Sequence, residues 1–272
     1  MTDVSERVSV VVPTRNNERT IAACLASVRA QDYSDVELVV VDNHSTDATQ
    51  QIARKYADRL DIAGPERSAQ RNVGIEVATG TWIIWLDSDM ILPPQAVSAA
   101  VATAHETGAA GVALPERTVG QGFWTACRAL ERECYLDQPG LHNPRLLKRD
   151  YLRKDGGFDP AMSGPEDADL RLRMRQRGDQ IALAPVVIDH DEGRLTLRDI
   201  WTKRYYYGLS IPALQDEHDG AVSGQGRALL TAYVDNRRRL ARRPVHAVGM
   251  VVMRGMEAAG YLAGARAGRR RR

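Results

Sequence analysis

Along the first ninety positions, apolar residues gather in three short, nearly unbroken runs: Val8 to Val12, Leu38 to Val41 and Trp82 to Leu86. Runs of this length, rich in β-branched and bulky side chains, predict strands buried on both faces. Between them the period changes. Glu18 to Ala30 sets Ile21, Leu25 and Val28 on one helical face, Thr46 to Tyr56 opens on small polar residues suited to capping, and Ala69 to Ala78 stops before Gly80. Strand and helix alternating in this order predict an α/β fold with a doubly wound, mostly parallel sheet flanked by helices, because parallel strands need crossover helices.

Further on, Pro93-Pro94 opens a helix that should run to about Thr107, Gly111 to Leu114 reads as a short strand, and Ile181 to Ile188 as another. The stretch Val119 to Lys154 mixes Phe123, Trp124 and Tyr135 with charges and yields no assignment. Leu170, Leu172 and Met174 alternate like a strand, yet Pro165 followed by acids and then by Arg171, Arg173, Arg175 and Arg177 is equally good helix design. With no repeat and no low-complexity linker, the expected organisation is one domain over 1–197, in halves of about 1–92 and 93–197. A helical C-terminal extension over 198–272 follows it.

Composition narrows the class. Hydrophobic residues at 43% and charged residues at 26% exclude wholesale disorder and a multi-span membrane protein. The start, MTDVSERVSV, lacks the basic and apolar segments of a secretory leader, so a cytoplasmic protein is expected. Cys24, Cys127 and Cys134 form no CxxC pair and read as reduced core thiols rather than disulfide or zinc residues. The charge is uneven: residues 198–272 carry 15 basic and 6 acidic groups, whereas residues 1–197 carry 22 and 29.

Ligands of doubly wound sheets bind beyond the carboxyl ends of the strands. Here those ends read Pro13-Thr14-Arg15-Asn16-Asn17-Glu18, Asp42-Asn43-His44-Ser45-Thr46-Asp47 and Asp87-Ser88-Asp89. Two carboxylates two residues apart, on a turn after a strand, offer hard oxygen ligands for Mg²⁺ or Mn²⁺, which in turn bind phosphate oxygens. A metal-bound diphosphate is the natural ligand of such a crevice.

Taken with two later blocks, these segments resemble family 2 glycosyltransferases, whose fold is GT-A. The resemblance is carried by VSVVVPTRNNERTIAACLASV, LVVVDNHSTDAT, SAQRNVGIEVATGTWIIWLDSDM, GGFDPAMSGPEDADLRLRMRQRG and IDHDEG, in this order over most of residues 8–193. It implies that 1–92 is a nucleotide-sugar half and 93–197 an acceptor half. Pro13, Thr14, Arg15, Glu18 and Asp42 would line the nucleotide pocket, Asp42 near the base, with Arg71 and Asn72 near the nucleotide. Asp87 would approach the ribose and sugar, with Ser88 counted in the same set, and Asp89 would ligate a divalent metal, Mn or Mg.

Asp167, in Gly164-Pro165-Glu166-Asp167, matches the position of the family's general base, with Glu166 supporting it; a sugar hydroxyl is a poor nucleophile and needs such a carboxylate. His190, flanked by Asp189 and Asp191, would be a further metal ligand. The implied reaction is inverting, metal-dependent transfer of a hexosyl or N-acetylhexosaminyl group from a nucleoside-diphosphate sugar, a UDP-sugar first. The acceptor hydroxyl would belong to a glycan, a lipid carrier or a small natural product. Rival readings are a sugar-1-phosphate nucleotidyltransferase, which should carry a glycine-rich loop where this chain has PTRNNE, and a non-catalytic sugar-nucleotide-binding protein.

The C-terminal stretch Val245 to Ala263 approaches span length but is interrupted by His246, Arg254 and Glu257. Bracketed by Arg237–Arg239, Arg242, Arg243, Arg266 and Arg269–Arg272, it either lies in an anionic interface at the inner face of the cell membrane or packs on the domain or on a second copy in a homodimer. No motif for nucleic-acid recognition accompanies the arginines, and none is expected to bind. Lys203, Arg204 and Tyr205 to Tyr207 read equally as contacts to diphosphate or acceptor and as surface packing.

Overall fold

Strands with no polar face must be covered on both sides, and these are. Every residue from Val8 to Thr14 is buried, as are Leu38 to Asp42 and Trp82 to Trp85. The computed structural model describes residues 6–162, 164–217 and 221–271; residues 1–5, on which part of the leader argument rests, and Arg272 of the basic tail lie outside them. In chain order the elements are β1 (Val8–Thr14), α1 (Ile21–Arg29), β2 (Val36–Asp42), α2 (Thr49–Ala53), β3 (Arg59–Ile62), α3 (Arg67–Val77), β4 (Trp82–Trp85), β5 (Met90–Ile91), α4 (Ala96–Thr107), β6 (Gly111–Ala113) and β7 (Glu116–Val119). Then follow α5 (Phe123–Glu133), β8 (Pro144–Lys148), α6 (Arg149–Lys154), α7 (Glu166–Gln176), β9 (Ile181–Leu183), β10 (Ile188–Asp191), α8 (Leu197–Gly208), α9 (Ile211–Glu217), α10 (Ala221–Asp235), α11 (Arg237–Arg242) and α12 (Pro244–Arg271).

The chain forms two compact units: residues 1–115, 143–160 and 173–189, and residues 116–142, 161–172 and 190–272. The first holds a seven-stranded sheet in the order β3-β2-β1-β4-β8-β6-β9. Strands β3, β2, β1 and β4 are mutually parallel, while β8 runs antiparallel to both neighbours. This is the mostly parallel, helix-flanked sheet expected, with one reversed strand that lies in the stretch the pattern left unassigned. Alternate residues of β1 serve different layers: Val8, Val10 and Val12 join Ile21, Leu25 and Val28 of α1 and Val97 and Ala100 of α4 in one core, while Val11 meets Gly74 of α3. Each fully buried aliphatic side chain contributes about 1.5–3 kcal/mol.

Two readings of the pattern need correction. Ile181 to Ile188 is not one strand: β9 ends at Leu183, the chain turns through Pro185, which has no N–H to donate to a ladder, and β10 begins at Ile188. Leu170, Leu172 and Met174 lie on helix α7, whose first turn holds Glu166, Asp167 and Asp169 and whose last turn holds Arg173 and Arg175. Acids at the start and bases at the end complement the helix dipole and decide the conformation.

In the second unit β7 lies beside β10, and Glu192 N–H donates to Val119 O at 3.1 Å just past the strand ends. Helix α8 starts from a capping box in which the Thr196 hydroxyl accepts from Asp199 N–H at 3.2 Å and Asp199 Oδ2 accepts from Thr196 N–H at 3.1 Å. Ile200 of α8 forms a core with Met250 and Met253 of α12. The two backbones touch: a Cβ on Gly264 would stand 2.1 Å from Tyr205 O and one on Gly208 2.6 Å from Tyr261 O, so only glycine fits either place. Among the described residues no helix is long and apolar enough to cross a membrane. The three cysteines are free and buried.

Candidate active site

The order β3-β2-β1-β4 reverses direction between β1 and β4, and a crevice at such a switch point is where an open α/β sheet binds ligands. Register brings the candidate residues level, with Thr14 opposite Asp42. Beyond the strands, Asn16 (φ 46°) and His44 (φ 51°) adopt left-handed backbone, which folds both loops tightly. They are laced together. Asn16 N–H donates to Ser45 Oγ at 2.7 Å, Asn16 Oδ1 accepts from Thr46 N–H at 2.8 Å, and Asn17 N–H donates to Thr49 Oγ1 at 2.7 Å. Glu18, exposed, accepts from Ala48 N–H at 3.0 Å. The third strand end joins through Ser88, whose hydroxyl accepts from Asn17 Nδ2 at 2.7 Å and whose carbonyl accepts from Thr20 Oγ1 at 3.0 Å.

Individual candidates differ in what they do. Pro13 and Thr14 are buried and Arg15 is exposed; the buried Thr14 hydroxyl has no hydrogen-bond partner. Asp42 is wholly buried, and its carboxylate accepts from Ser45 N–H at 2.8 Å, from Gln50 Nε2 at 2.7 Å and from the Ser45 hydroxyl, so it organises the turn after β2. Gln70 ties α3 to both strand ends, donating to Thr14 O at 2.9 Å and Val41 O at 2.6 Å. Asn72 is committed to the backbone of Phe158, donating to its carbonyl at 2.7 Å and accepting from its N–H at 2.8 Å.

Asp87 faces three guanidinium groups, Arg71 at 3.0 Å, Arg145 at 3.6 Å and Arg67 at 3.7 Å. Arg71 is almost wholly buried and lies 5.0 Å from the centre of the Phe158 ring, which meets Trp85 edge-on at 5.1 Å. Asp87 is thus held in place by guanidinium groups from α3 and β8. Arg67 could have been found in the sequence, four residues before Arg71 on one helical face; Phe158 lies within the GGFDP block of the resemblance without a role attached, and Arg145, on the unassigned β8, carried no signal. Beneath the motif, burial and then the charges of Asp89 and Asp87 push the Cys24 thiol well above its ordinary range.

Does this unit suit a divalent cation? Among the described residues no three His, Cys, Asp or Glu side chains gather into a ready-made cage. Mg²⁺ and similar ions bound with nucleotides characteristically take one or two protein carboxylates and complete their shell with phosphate oxygens and water. Asp89, a hard and partly exposed oxygen donor at the strand end, fits that arrangement.

In the second unit Glu166 and Asp167 occupy the first turn of α7; Glu166 is wholly buried and Asp167 half-buried. Gly164 precedes them with φ 103°, and a Cβ there would lie 2.2 Å from the Tyr207 ring, so Tyr207 packs on the glycine that turns the chain into the helix. His190 is buried, with Nδ1 3.1 Å from Glu116 Oε2. The same carboxylate takes Arg132 Nη1 at 2.7 Å, and Arg132 Nη2 donates to Glu192 at 3.0 Å. His190 Nδ1 also lies 3.2 Å from Arg132 Nη1, so Glu116 and Arg132 together fix the orientation of the ring.

The sequence reading missed Glu116, Arg132 and Glu192, and with them a larger buried assembly. Arg128 pairs with Glu131 at 2.7 Å and with Glu257; Glu257 also holds Arg204 at 2.6 Å and Arg254 at 2.9 Å. Glu131 takes Arg254 and the Tyr233 hydroxyl, the latter at 2.6 Å. Burial opposes ionisation of Glu257, but Arg128, Arg204 and Arg254 outweigh it and hold its carboxyl down at about 2. Arg204 is thus a packing residue of this assembly and Tyr207 a packing residue of the Gly164 turn.

The candidates therefore divide: Pro13, Thr14, Arg15, Glu18, Asp42, Arg71, Asn72, Asp87, Ser88 and Asp89 belong to the first unit, and Glu166, Asp167 and His190 to the second.

Comparison with known proteins bears on the whole. Glycosyltransferase AglE of Haloferax volcanii is 37% identical over 117 residues, 40% of this chain and 38% of that protein. Poly(ribitol-phosphate) beta-N-acetylglucosaminyltransferase TarS of Staphylococcus aureus is 36% identical over 109 residues, 36% of this chain and 19% of TarS. The chain thus matches well under half the length of either relative. Among solved structures, the mannosyltransferase PcManGT from Pyrobaculum calidifontis, in complex with GDP-Man and Mn²⁺, superposes with a TM-score of 0.62 at 21% identity over 97% of this chain and 80% of that one. TarS 1–349 in complex with UDP-GlcNAc gives 0.55 at 16% identity over 94% and 89%. At such identities the structural likeness speaks for the GT-A fold alone. The family model described as Glycosyl transferase family 2 matches residues 9–163. That is more than half of the chain, and the chain belongs to glycosyl transferase family 2.

Proposed function

We propose that the protein transfers a hexosyl or N-acetylhexosaminyl group from a nucleoside-diphosphate sugar, a UDP-sugar first, to an acceptor hydroxyl with inversion at the anomeric carbon. The observation that carries this reading is the arrangement at the sheet's switch point. Three strand ends are laced through Asn16, Asn17 and Ser88, and Asp87 stands among Arg67, Arg71 and Arg145. Guanidinium groups gathered beside the partly exposed Asp87 and Asp89 at a strand end suit an anionic diphosphate. Relatives and neighbours whose names speak of N-acetylglucosaminyl transfer, UDP-GlcNAc and GDP-Man support the same class of donor.

In this reading residues 1–92 form the donor half, 93–197 the acceptor half and 198–272 an extension. Pro13, Thr14, Arg15, Glu18, Asp42, Arg71, Asn72, Asp87 and Ser88 serve the nucleotide sugar, some directly and Asn72 and Asp42 by holding the loops. The acceptor oxygen attacks the anomeric carbon from the face opposite the diphosphate, and Asp167 takes its proton as the new C–O bond forms. The bond to the diphosphate oxygen breaks and its electron pair leaves with the nucleotide. Glu166, buried behind Asp167, supports the turn. Asp89 and His190 are the residues assigned to a divalent ion, Mn²⁺ or Mg²⁺, which when bound offsets negative charge on the departing diphosphate.

A thermal-shift panel of UDP-, GDP- and dTDP-sugars with Mn²⁺ or Mg²⁺ tests it, since a ligand that favours the native form raises Tm. The expected result is stabilisation by one donor class that requires the ion and is lost in Asp89→Ala. Pyrophosphate release from a nucleoside triphosphate would instead mark a nucleotidyltransferase.

A further inference from the structure

Helix α12 carries apolar residues on its outer side as well as its inner one. Its charged residue Glu257 is buried and Arg254 half-buried against the protein, while Val245, Val248, Val251, Val252 and Leu262 stand 47–68% exposed. At 100° per residue these five fall on one face, and the positions among them, Gly255, Ala258 and Ala259, are also exposed and uncharged. From residue 245 to 262 the face is about 26 Å long at 1.5 Å per residue. Over 245–262 the inward face holds Met250, Met253 and the paired ionic groups, so the helix is apolar on its outer side as well, and such a stripe marks a surface that something apolar covers.

Charge identifies what covers it. Beyond Leu262 the same face continues into exposed Arg266, Arg269 and Arg270, and before Val245 stand exposed Arg237, Arg238 and Arg242. Between 236 and 271 the sole acid is Glu257, which is buried. A second copy packed face to face would set arginines against arginines at both ends. The stripe, about 26 Å by 10 Å, also offers only about 260 Å², against roughly 800 Å² per partner in a stable dimer. A nucleic acid would meet valines where its phosphates need cations. Apolar side chains between two sets of arginines complement one surface, hydrocarbon at the level of anionic headgroups.

We infer that the outward face of α12 docks in the plane of an anionic lipid bilayer, valines toward the acyl chains and arginines on the headgroups, without crossing it. The test is flotation of the full chain with vesicles of phosphatidylcholine alone or with phosphatidylglycerol at roughly two to one. The wild type should float with the anionic vesicles and much less with phosphatidylcholine. Val248→Asp with Val252→Asp should cut the bound fraction at least about tenfold. Because both positions are exposed, an unaltered circular dichroism melt would separate this loss from unfolding. As a second readout, a polarity-sensitive dye on Val252→Cys should shift to the blue with anionic vesicles; the native cysteines are buried and leave the label specific. No flotation of the wild type, flotation of the double variant equal to wild type, or a wild-type dimer in sedimentation that the double variant dissolves would each overturn the inference, the last in favour of a second copy.

Discussion

Glu257 offers a quantitative test of the buried ionic assembly. Its carboxylate, 2% exposed, accepts from Arg204 at 2.8 Å and Arg254 at 2.9 Å and pairs with Arg128. Glu257→Gln keeps the shape but deletes the charge that three guanidinium groups share. Two routes give the cost. Breaking a buried ion pair by removing one partner costs about 3–5 kcal/mol. Linkage gives a similar figure: a fall from 4.5 to about 2, at about 1.36 kcal/mol per unit, is about 3 kcal/mol near neutrality.

The two routes differ in what they say about pH. A carboxyl whose folded pKa lies below its unfolded value adds stability that is complete above the unfolded value, near 4.5, and is lost as pH falls through the folded value, near 2. The gap between wild type and Glu257→Gln in urea denaturation should therefore be about 3 kcal/mol at neutral pH. At pH near 3 it should narrow to less than half of that. A gap that stayed constant over that range would refute the claim that the arginines act on an ionised Glu257, and would reduce the assembly to packing.

Other outcomes follow from the candidate site. Asp167→Asn should leave the donor-induced rise in Tm intact while lowering turnover about 10²–10⁴-fold, read by product formation; an unchanged rate removes Asp167 as the base. Gly164→Ala must force a side chain into a backbone with φ 103° and into the Tyr207 ring. It should lower stability by about 1–3 kcal/mol in the same denaturation assay. Glu116→Gln should loosen divalent-ion affinity about 10–100-fold in a Mn²⁺ titration with nucleoside diphosphate, because it withdraws the carboxylate that orients His190; an unaltered titration would take His190 off the ion.

What could be read in advance depended on whether local pattern and burial pointed the same way. At β1, β2 and β4 they did: continuous apolar runs can only be central strands, and the polar residues that follow them must lie at the strand ends, so Asn16, Asn17 and Ser88 meeting there is a consequence of topology. Arg145 and Glu116 were invisible for the opposite reason. Each sits on a short strand with charged residues, and its role exists only through partners far along the chain, Asp87 in one case and His190 and Arg132 in the other. Pairwise chemistry between distant segments has no local periodicity to betray it.

Helix α12 shows a subtler limit. Its sequence displays His246, Arg254 and Glu257 breaking an apolar stretch, which spoils it for spanning and leaves open whether it lies at a membrane interface or packs on protein. Periodicity reports that polar and apolar positions fall on different faces; it does not report which face is inside. Here Arg128 and Arg204, supplied by α5 and α8, make the interior the place where Glu257 is best satisfied, and glycines at 208 and 264 let the backbones close over it. Once the charges are paired within, the valines have nowhere to go but outward, so the arrangement that buries an ionic cluster is the one that leaves the apolar face exposed.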